Sequence, residues 1–571
     1  MNRLKTNALW LLVIQTLQMT MLTFWLFRSK SAIYGTNDDS LLASIASGQL
    51  TGQIEPRLIF IQPIISYPIT WLEVIFTTLS GYSFFLIFCT TLSYSSVLAV
   101  LIVDKKIKTI TIVTWTSLNI IFQSWFALNP TYTGASLFAA GASAFHLNYI
   151  FNNQNKLDLG IVRLNYFLGA LFLILCYGIR KEGVYVLFLL VIPTLILKIK
   201  NITFKKSLTL YFAVPIIIAF LLNQFLYLLL YSGEKWDKYM ELNESRHKIQ
   251  LRAPEKYIIN NLDSIGWDKE TYYMFMRFSL IDENQMNVEK MKNILISTQE
   301  YVGPKSIIKS DIIENSKIVV ESFNPWTWIL KLILLLIAIL VLSKIYEQKF
   351  KEFSIFLILQ SVLIIIFLLV LGFGYQIPER ISLNFLAAFS LSLFAQFTSR
   401  RLQSERFSLL MRSTNILMII IFIQLTYSRL PVETNAREGL YLTRQAYAKQ
   451  QVGALSNLAD QVVISNGSGL KTHWQFPYSK WNTFDPRDKT IILGWQNLSP
   501  LSTQQFSNRD LDLNMFPADI YKSNIYWVDS PEDIEKSLNY FEKFSNSTMK
   551  YYDVGSIGND EYHFYRFLIS E

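Results

Sequence analysis

The sequence predicts a polytopic α-helical membrane protein of about eleven transmembrane helices, followed by an extracytoplasmic C-terminal α/β domain. Three observations predict it. Of the 571 residues, 51% are hydrophobic and 17% charged, a balance of membrane rather than soluble chains. Apolar runs of spanning length recur between residues 8 and 428. The basic residues between those runs collect on one side of the map they define, as the positive-inside rule requires.

The candidate spans are 8–27, 82–103, 109–127, 134–152, 163–179, 183–199, 208–231, 326–343, 353–372, 381–398 and 413–428. With Arg3 and Lys5 cytoplasmic, the inner segments carry clusters such as Lys105, Lys106 and Lys108, Lys198 to Lys206, and Arg400 to Arg412. The short outer loops carry only Arg28, Lys30, Arg57, Arg180, Lys181 and Arg380. The net charge of +9 is therefore assigned to topology rather than to nucleic acid. Eleven spans leave the C-terminus outside. The first apolar run is too long for a signal peptide, and residues 31–53 lack a small-residue cleavage site, so it reads as a retained helix. Cys89 and Cys176 fall inside spans, so the outer portions need no disulfide, which fits a bacterial cell surface.

One apolar run, 57–80, is interrupted by Pro63, Pro68 and Glu73. As a full span it would invert every later basic loop. One or two helices lying in the outer interface are expected instead, with Tyr67 and Trp71 at headgroup depth; a twelve-span arrangement is the alternative. The membrane domain is then 1–429, including an outer loop 28–81 and an outer helical loop 232–325. The outer domain is 430–571, with strand-like runs at 462–465, 490–495 and 524–529 and a hairpin around 557–560.

Candidate chemistry begins in the first outer loop, where Asn37, Asp38 and Asp39 follow the first span. The plain reading is an Asx N-cap for a short helix through Ala46. The functional reading is a carboxylate, Asp38 or Asp39, that activates an acceptor hydroxyl as general base. Its neighbour would raise its pKa by like-charge repulsion, or hold the acceptor or a metal ion. Arg180, Lys181, Glu182 and Gly183 interrupt a long apolar stretch, as a hairpin tip or as a phosphate-binding arginine oriented by Glu182. Arg380, just before a span, and Tyr132, in a short outer turn, lie on the same predicted face. His146 within a span reads as a bundle hydrogen-bonder, and Arg246 and His247 as a solvated helix face. Gly467, Ser468 and Gly469 after a strand lack a Walker lysine, and no zinc-like Cys/His cluster occurs.

Asn37, Asp38 and Asp39 in the first outer loop, interfacial helices at 57–80, about eleven spans and an outer C-terminal domain together resemble the GT-C class of integral membrane glycosyltransferases. The stretches EPRLIFIQPIISY, YGIRKEG, ELNESR and IPERISL also look like those of bacterial members that modify cell-surface polysaccharides. The resemblance implies transfer of a hexose or pentose from a polyprenyl-phosphate carrier to a cell-surface glycan or glycolipid on the outer membrane face. It gives the acidic role to Asp38 or Asp39, with Asn37, Arg180, Glu182, Arg380 and Tyr132 as substrate contacts and no nucleic acid as partner. No cofactor is demanded; a divalent cation, Mg or Mn, is the one candidate. Absence of adjacent tryptophans disfavours the protein N-glycosylating kind. Exposed tail aromatics, Trp474, Trp481 and Trp495, would hold the acceptor. A polymerase or ligase using a lipid-linked oligosaccharide is the nearer alternative. A flippase would favour internal repeats, and none is apparent; a mere scaffold leaves the outer charge clusters unexplained.

Overall fold

The computed structural model describes residues 34–103 (except 35), 126–153 (except 128), 159–198, 209–252 and 262–297 of the N-terminal part, and 461–466, 490–513, 516–556 (except 523) and 562–570 of the C-terminal part, with isolated positions elsewhere. The spans predicted at 326–343 and 413–428 lie outside these residues. Those at 8–27, 109–127, 353–372 and 381–398 are described only at isolated positions.

The chain enters on α1 (Asn37–Ser47), whose N-cap is Thr36: its hydroxyl accepts the Asp39 N–H at 3.2 Å. The Asx residues expected to cap are thus the first turn instead, where Asp38 and Asp39 complement the helix dipole. Gly48, in the left-handed region at φ +85°, ends α1 and turns the chain back; a Cβ there would stand 2.6 Å from the Gln53 carbonyl carbon. The doubtful run 57–80 forms α2 (Pro63–Ile75), with proline at its start and Tyr67 and Trp71 exposed. Buried Glu73 near its end accepts the Tyr82 N–H at 2.9 Å and so caps the next helix, α3 (Gly81–Val103).

Next come α4 (Tyr132–Asn153), α5 (Leu159–Ile179) and α6 (Gly183–Lys198), packed as one apolar cluster. Small residues along α4 permit the close approach, and polar side chains fix it. Ser143 Oγ donates to Gly169 O at 2.8 Å, and His146 Nδ1 meets Asn165 at 2.8 Å and Nε2 meets Ser96 at 3.1 Å. His146 is thus the bundle hydrogen-bonder its position suggested. A π-helical turn, Thr209–Ala213, leads into α7 (Val214–Tyr231), which exposes Ile217, Ile218, Phe220, Leu221, Phe225, Leu228 and Leu229. An apolar face of that breadth suits lipid or a partner, not water. Among the described residues, three helices are long and apolar enough to cross a membrane: Gly81–Leu101, Leu159–Ile179 and Leu210–Tyr231.

Three further helices, α8 (Glu234–Arg252), α9 (Lys269–Met276) and α10 (Val288–Ser297), precede the sheet. The strands are β1 (Val462–Asn466), β2 (Thr490–Leu493), β3 (Ile525–Asp529), β4 (Met549–Ser556) and β5 (His563–Ile569), the first three in the strand-like runs and the last two flanking the expected hairpin. They form one sheet in the order β2-β1-β3-β5-β4. Strand β1 is parallel to its neighbours β2 and β3, with Ile464 opposite Ile491 and Trp527. The β4–β5 hairpin closes the other edge antiparallel. Two helices accompany the sheet: α11 (Pro500–Ser507), capped by Ser499, and α12 (Ile534–Ser545). The two hydrophilic regions that read as separate in sequence share one core. Leu242, Ile249, Trp267 and Phe275 from α8 to α9 pack in a single apolar cluster with Ile464, Ile491, Trp527, Phe541 and Phe567.

Candidate active site

The first turn of α1 separates the two aspartates. Asp39 is wholly buried. Its Oδ1 accepts the Tyr82 hydroxyl at 2.8 Å and the Tyr132 backbone N–H at 2.7 Å, while Oδ2 accepts the Thr36 hydroxyl at 2.6 Å. These bonds offset the cost of taking a carboxylate out of water. They fasten α1 to the N-terminal ends of α3 and α4. Asp38, one residue earlier and so about 100° around the helix, is only half-buried. Its negative charge favours the charged form of both Arg180 and Arg246.

Arg180 follows the last turn of α5. Its Nη1 donates to the Tyr132 hydroxyl at 3.4 Å and to Thr133 Oγ1, and its guanidinium lies 5.2 Å over the Tyr132 ring. Glu182 meets Nε at 3.4 Å from a position half in solvent, as an orienting partner would. Burial works against the Arg180 charge, but Tyr132, Glu182 and Asp38 together outweigh it and hold the pKa above the ordinary arginine value. Tyr132 joins the pieces: its backbone serves Asp39, and its ring stacks on Phe60 at 6.2 Å.

Arg246 departs from the expectation of a solvated face. His247 is exposed, but Arg246 is buried. Its Nη2 donates to Asn243 Oδ1 and, at 2.6 Å, to the Trp495 carbonyl, and the guanidinium lies 5.4 Å over Phe278. Burial lowers its pKa, an effect that Tyr239 and Asp38 oppose. The signal was present in the sequence: Trp236, Tyr239, Leu242, Arg246 and Ile249 recur at three- and four-residue spacing, so the arginine belongs to the buried stripe of α8.

Trp495 also departs from expectation. It is buried, because the chain leaving β2 runs directly against the first loop, where the indole packs on Phe60 at 4.7 Å. The structure thus brings together Asp38, Arg180, Glu182 and Tyr132, and adds Arg246. Arg380, Trp474, Trp481 and the 467–469 glycine loop lie outside the described residues, as does the side chain of Asn37. Asp39 directs its oxygens to protein donors, whereas Mg or Mn needs convergent free carboxylate oxygens. Among the described residues no group of three or more His, Cys, Asp or Glu side chains converges.

A half-exposed carboxylate can take a proton from a hydroxyl, and guanidiniums that feel its charge can hold an anion. No protein-family model matches the chain, and none of the curated proteins matches it. Among solved structures, the crystal structure of ArnT from Cupriavidus metallidurans in the apo state is similar over 97% of this chain and 97% of that chain, at 11% identity and a TM-score of 0.38. At that identity and score the likeness assigns neither fold nor activity.

Proposed function

We propose that the protein is an integral membrane glycosyltransferase of the GT-C type. It moves a monosaccharide, hexose or pentose, from a polyprenyl-phosphate carrier to a cell-surface glycan or glycolipid on the outer face of the membrane. The observation that carries the reading is the division of labour on α1. Asp39 is bound into the fold, while Asp38 is half-exposed and its charge is felt by both Arg180 and Arg246. The distribution of basic residues supports an inner N-terminus and an outer sheet unit.

In this mechanism Asp38 takes the proton of the acceptor hydroxyl, and the acceptor oxygen bonds to the anomeric carbon. The bond between that carbon and the phosphate oxygen breaks, its electron pair leaving with polyprenyl phosphate. Arg180 and Arg246 stabilise the phosphate as its charge grows, an effect strongest in a site closed to water. Glu182 and the Tyr132 ring hold the Arg180 guanidinium in place. No step is routed through a metal ion.

The test measures polyprenyl phosphate released from a synthetic polyprenyl-phosphate sugar by membranes carrying wild type, Asp38→Asn or Arg180→Gln protein. Loss of a general base lowers rates by about 10²–10⁴-fold, so release by Asp38→Asn is expected to vanish with folded protein at wild-type level. Undiminished release by that variant overturns the reading.

A further inference from the structure

The segment after β2 lies along α1 and buries polar groups that nothing satisfies. Trp495 Nε1, Gln496 Oε1 and both side-chain amide atoms of Gln505 are buried without a hydrogen-bond partner. The glutamines are 0% and 1% exposed. Native folds pair such groups in all but a few cases, because each missing partner costs stability. Three in one short segment call for an explanation.

They share a location. A Cβ on Gly494 would stand 2.7 Å from Gln496 Oε1 and 3.5 Å from a Leu41 methyl, so that amide oxygen lies against α1, one turn beyond Asp38. Leu501, Gln505 and Asn508 follow one another at helical spacing on one face of α11. Leu501 packs in the same apolar cluster as Leu41 and Ile45 of α1, and Asn508 Nδ2 donates to Thr51 O at 2.6 Å. Gln505, between them, faces the same seam. The Trp495 carbonyl meanwhile accepts the Tyr239 hydroxyl at 2.8 Å and Arg246, which ties the seam to an arginine that feels the charge of Asp38.

We infer that this seam is a subsite for a neutral, hydroxyl-rich ligand: the end of the acceptor glycan. The Gln505 amide offers a donor and an acceptor side by side, which matches a pair of neighbouring sugar hydroxyls; Gln496, whose Nε2 donates to Ile492 O at 2.6 Å, adds an acceptor, and the indole N–H a further donor. None of these three side chains is charged, so the chemistry selects a neutral sugar. The ligand enters as the seam parts at the Asn508–Thr51 contact, and its bonds to Gln496, Gln505 and Trp495 replace the ones these groups lack. A sugar held there lies one turn of α1 from the Asp38 carboxylate. Calling the ligand an acceptor rests on the transferase reading; the binding itself does not.

Hydrogen–deuterium exchange on the full-length protein in nanodiscs tests this. The probes are a panel of methyl hexopyranosides and methyl pentosides and, separately, a polyprenyl phosphate. At least one glycoside is expected to slow exchange over 41–52 and 494–508. Gln496→Leu and Gln505→Leu are expected to lose that protection, Gln505→Leu while melting above wild type, since it replaces a wholly unpaired buried amide with an apolar side chain of similar size. The inference is overturned if no glycoside protects the wild-type seam, or if folded glutamine variants keep the protection. Polyprenyl phosphate reports on the transferase reading independently, through protection around 180–183 and 243–247. Donor protection without a glycoside effect sinks the seam alone, and the reverse pattern sinks only the transferase reading.

Discussion

Arg246 and Arg277 both tie the helical segment 234–297 to the C-terminal sheet, yet on opposite terms. Arg277 Nη1 reaches Asp529 at 2.7 Å and Asp533 at 3.1 Å, and its guanidinium stacks on Tyr273 at 5.1 Å. Asp529 is completed by Ser537 at 2.5 Å, Trp527 Nε1 at 3.1 Å and the Ser530 N–H at 2.9 Å. Charge and hydrogen bonds close on themselves there, with nothing left over for a ligand. Arg246 instead donates to a side-chain amide and a backbone carbonyl, neither of them charged, and the carboxylate whose charge reaches it is half-exposed Asp38. The first junction is built for cohesion. The second holds a positive charge in readiness beside unpaired buried amides, at a cost in stability that binding can recover.

The strongest way to break this comparison is to remove each arginine in turn. Arg277→Met leaves buried Asp529 without its counter-ion, while Asp533 keeps Lys536 at 2.7 Å, and breaking a buried pair in this way costs about 3–5 kcal/mol. Arg246→Met removes a buried cation with no tight ion pair, so stability should stay within about 1 kcal/mol of wild type. Polyprenyl phosphate should nevertheless bind about tenfold or more weakly, the worth of one charge-assisted hydrogen bond. Denaturant unfolding in detergent, paired with a binding titration, separates the two effects. Equal stability losses would show that both arginines serve cohesion alone.

The same contrast runs through neighbouring residues on α1. Asp39→Ala strips the acceptor from Tyr82 and from the Tyr132 N–H, and should lower stability by about 2–3 kcal/mol. Asp38→Ala should leave the melting transition near wild type while ending transfer. Thermal unfolding of the two variants side by side decides it, and an exchange of these phenotypes would reverse the assignment of roles.

How much of this was legible beforehand depends on how far along the chain the deciding contact lies. The β strands follow from short local runs of apolar and β-branched residues, and the charged turn at Arg180 and Glu182 from its position within an apolar stretch. The buried place of Arg246 was encoded locally too, in a stripe of Trp236, Tyr239, Leu242 and Ile249, but an arginine beside a histidine invites a solvent-facing reading. What separates Asp38 from Asp39 is not local. It depends on partners 43 and 93 residues away, Tyr82 and Tyr132, that no motif around the aspartates announces. Trp495 likewise is buried because Phe60, near the other end of the chain, comes to meet it.

A smaller effect sharpens the comparison from the acidic side. Asp282, in the same helical segment, is a buried carboxyl with no arginine: Oδ1 accepts the Asn284 N–H at 2.9 Å, and Oδ2 has no partner. Burial raises its pKa above the ordinary 3.8, against weaker opposing effects of Asn284 and Lys290. Below pH 3.8 the group is protonated in both folded and unfolded chains and contributes nothing. As pH climbs from there to the raised folded value, the unfolded chain gives up its proton first, and the folded state loses stability relative to it. Above that window the loss is complete and constant. Asp282→Asn removes the titration, so its stability advantage over wild type should grow across the window and then level off, read as the difference in unfolding midpoint at a series of pH values. A flat difference would mean that Asp282 is compensated as fully as Asp529, and that an arginine partner is not what distinguishes the closed junction.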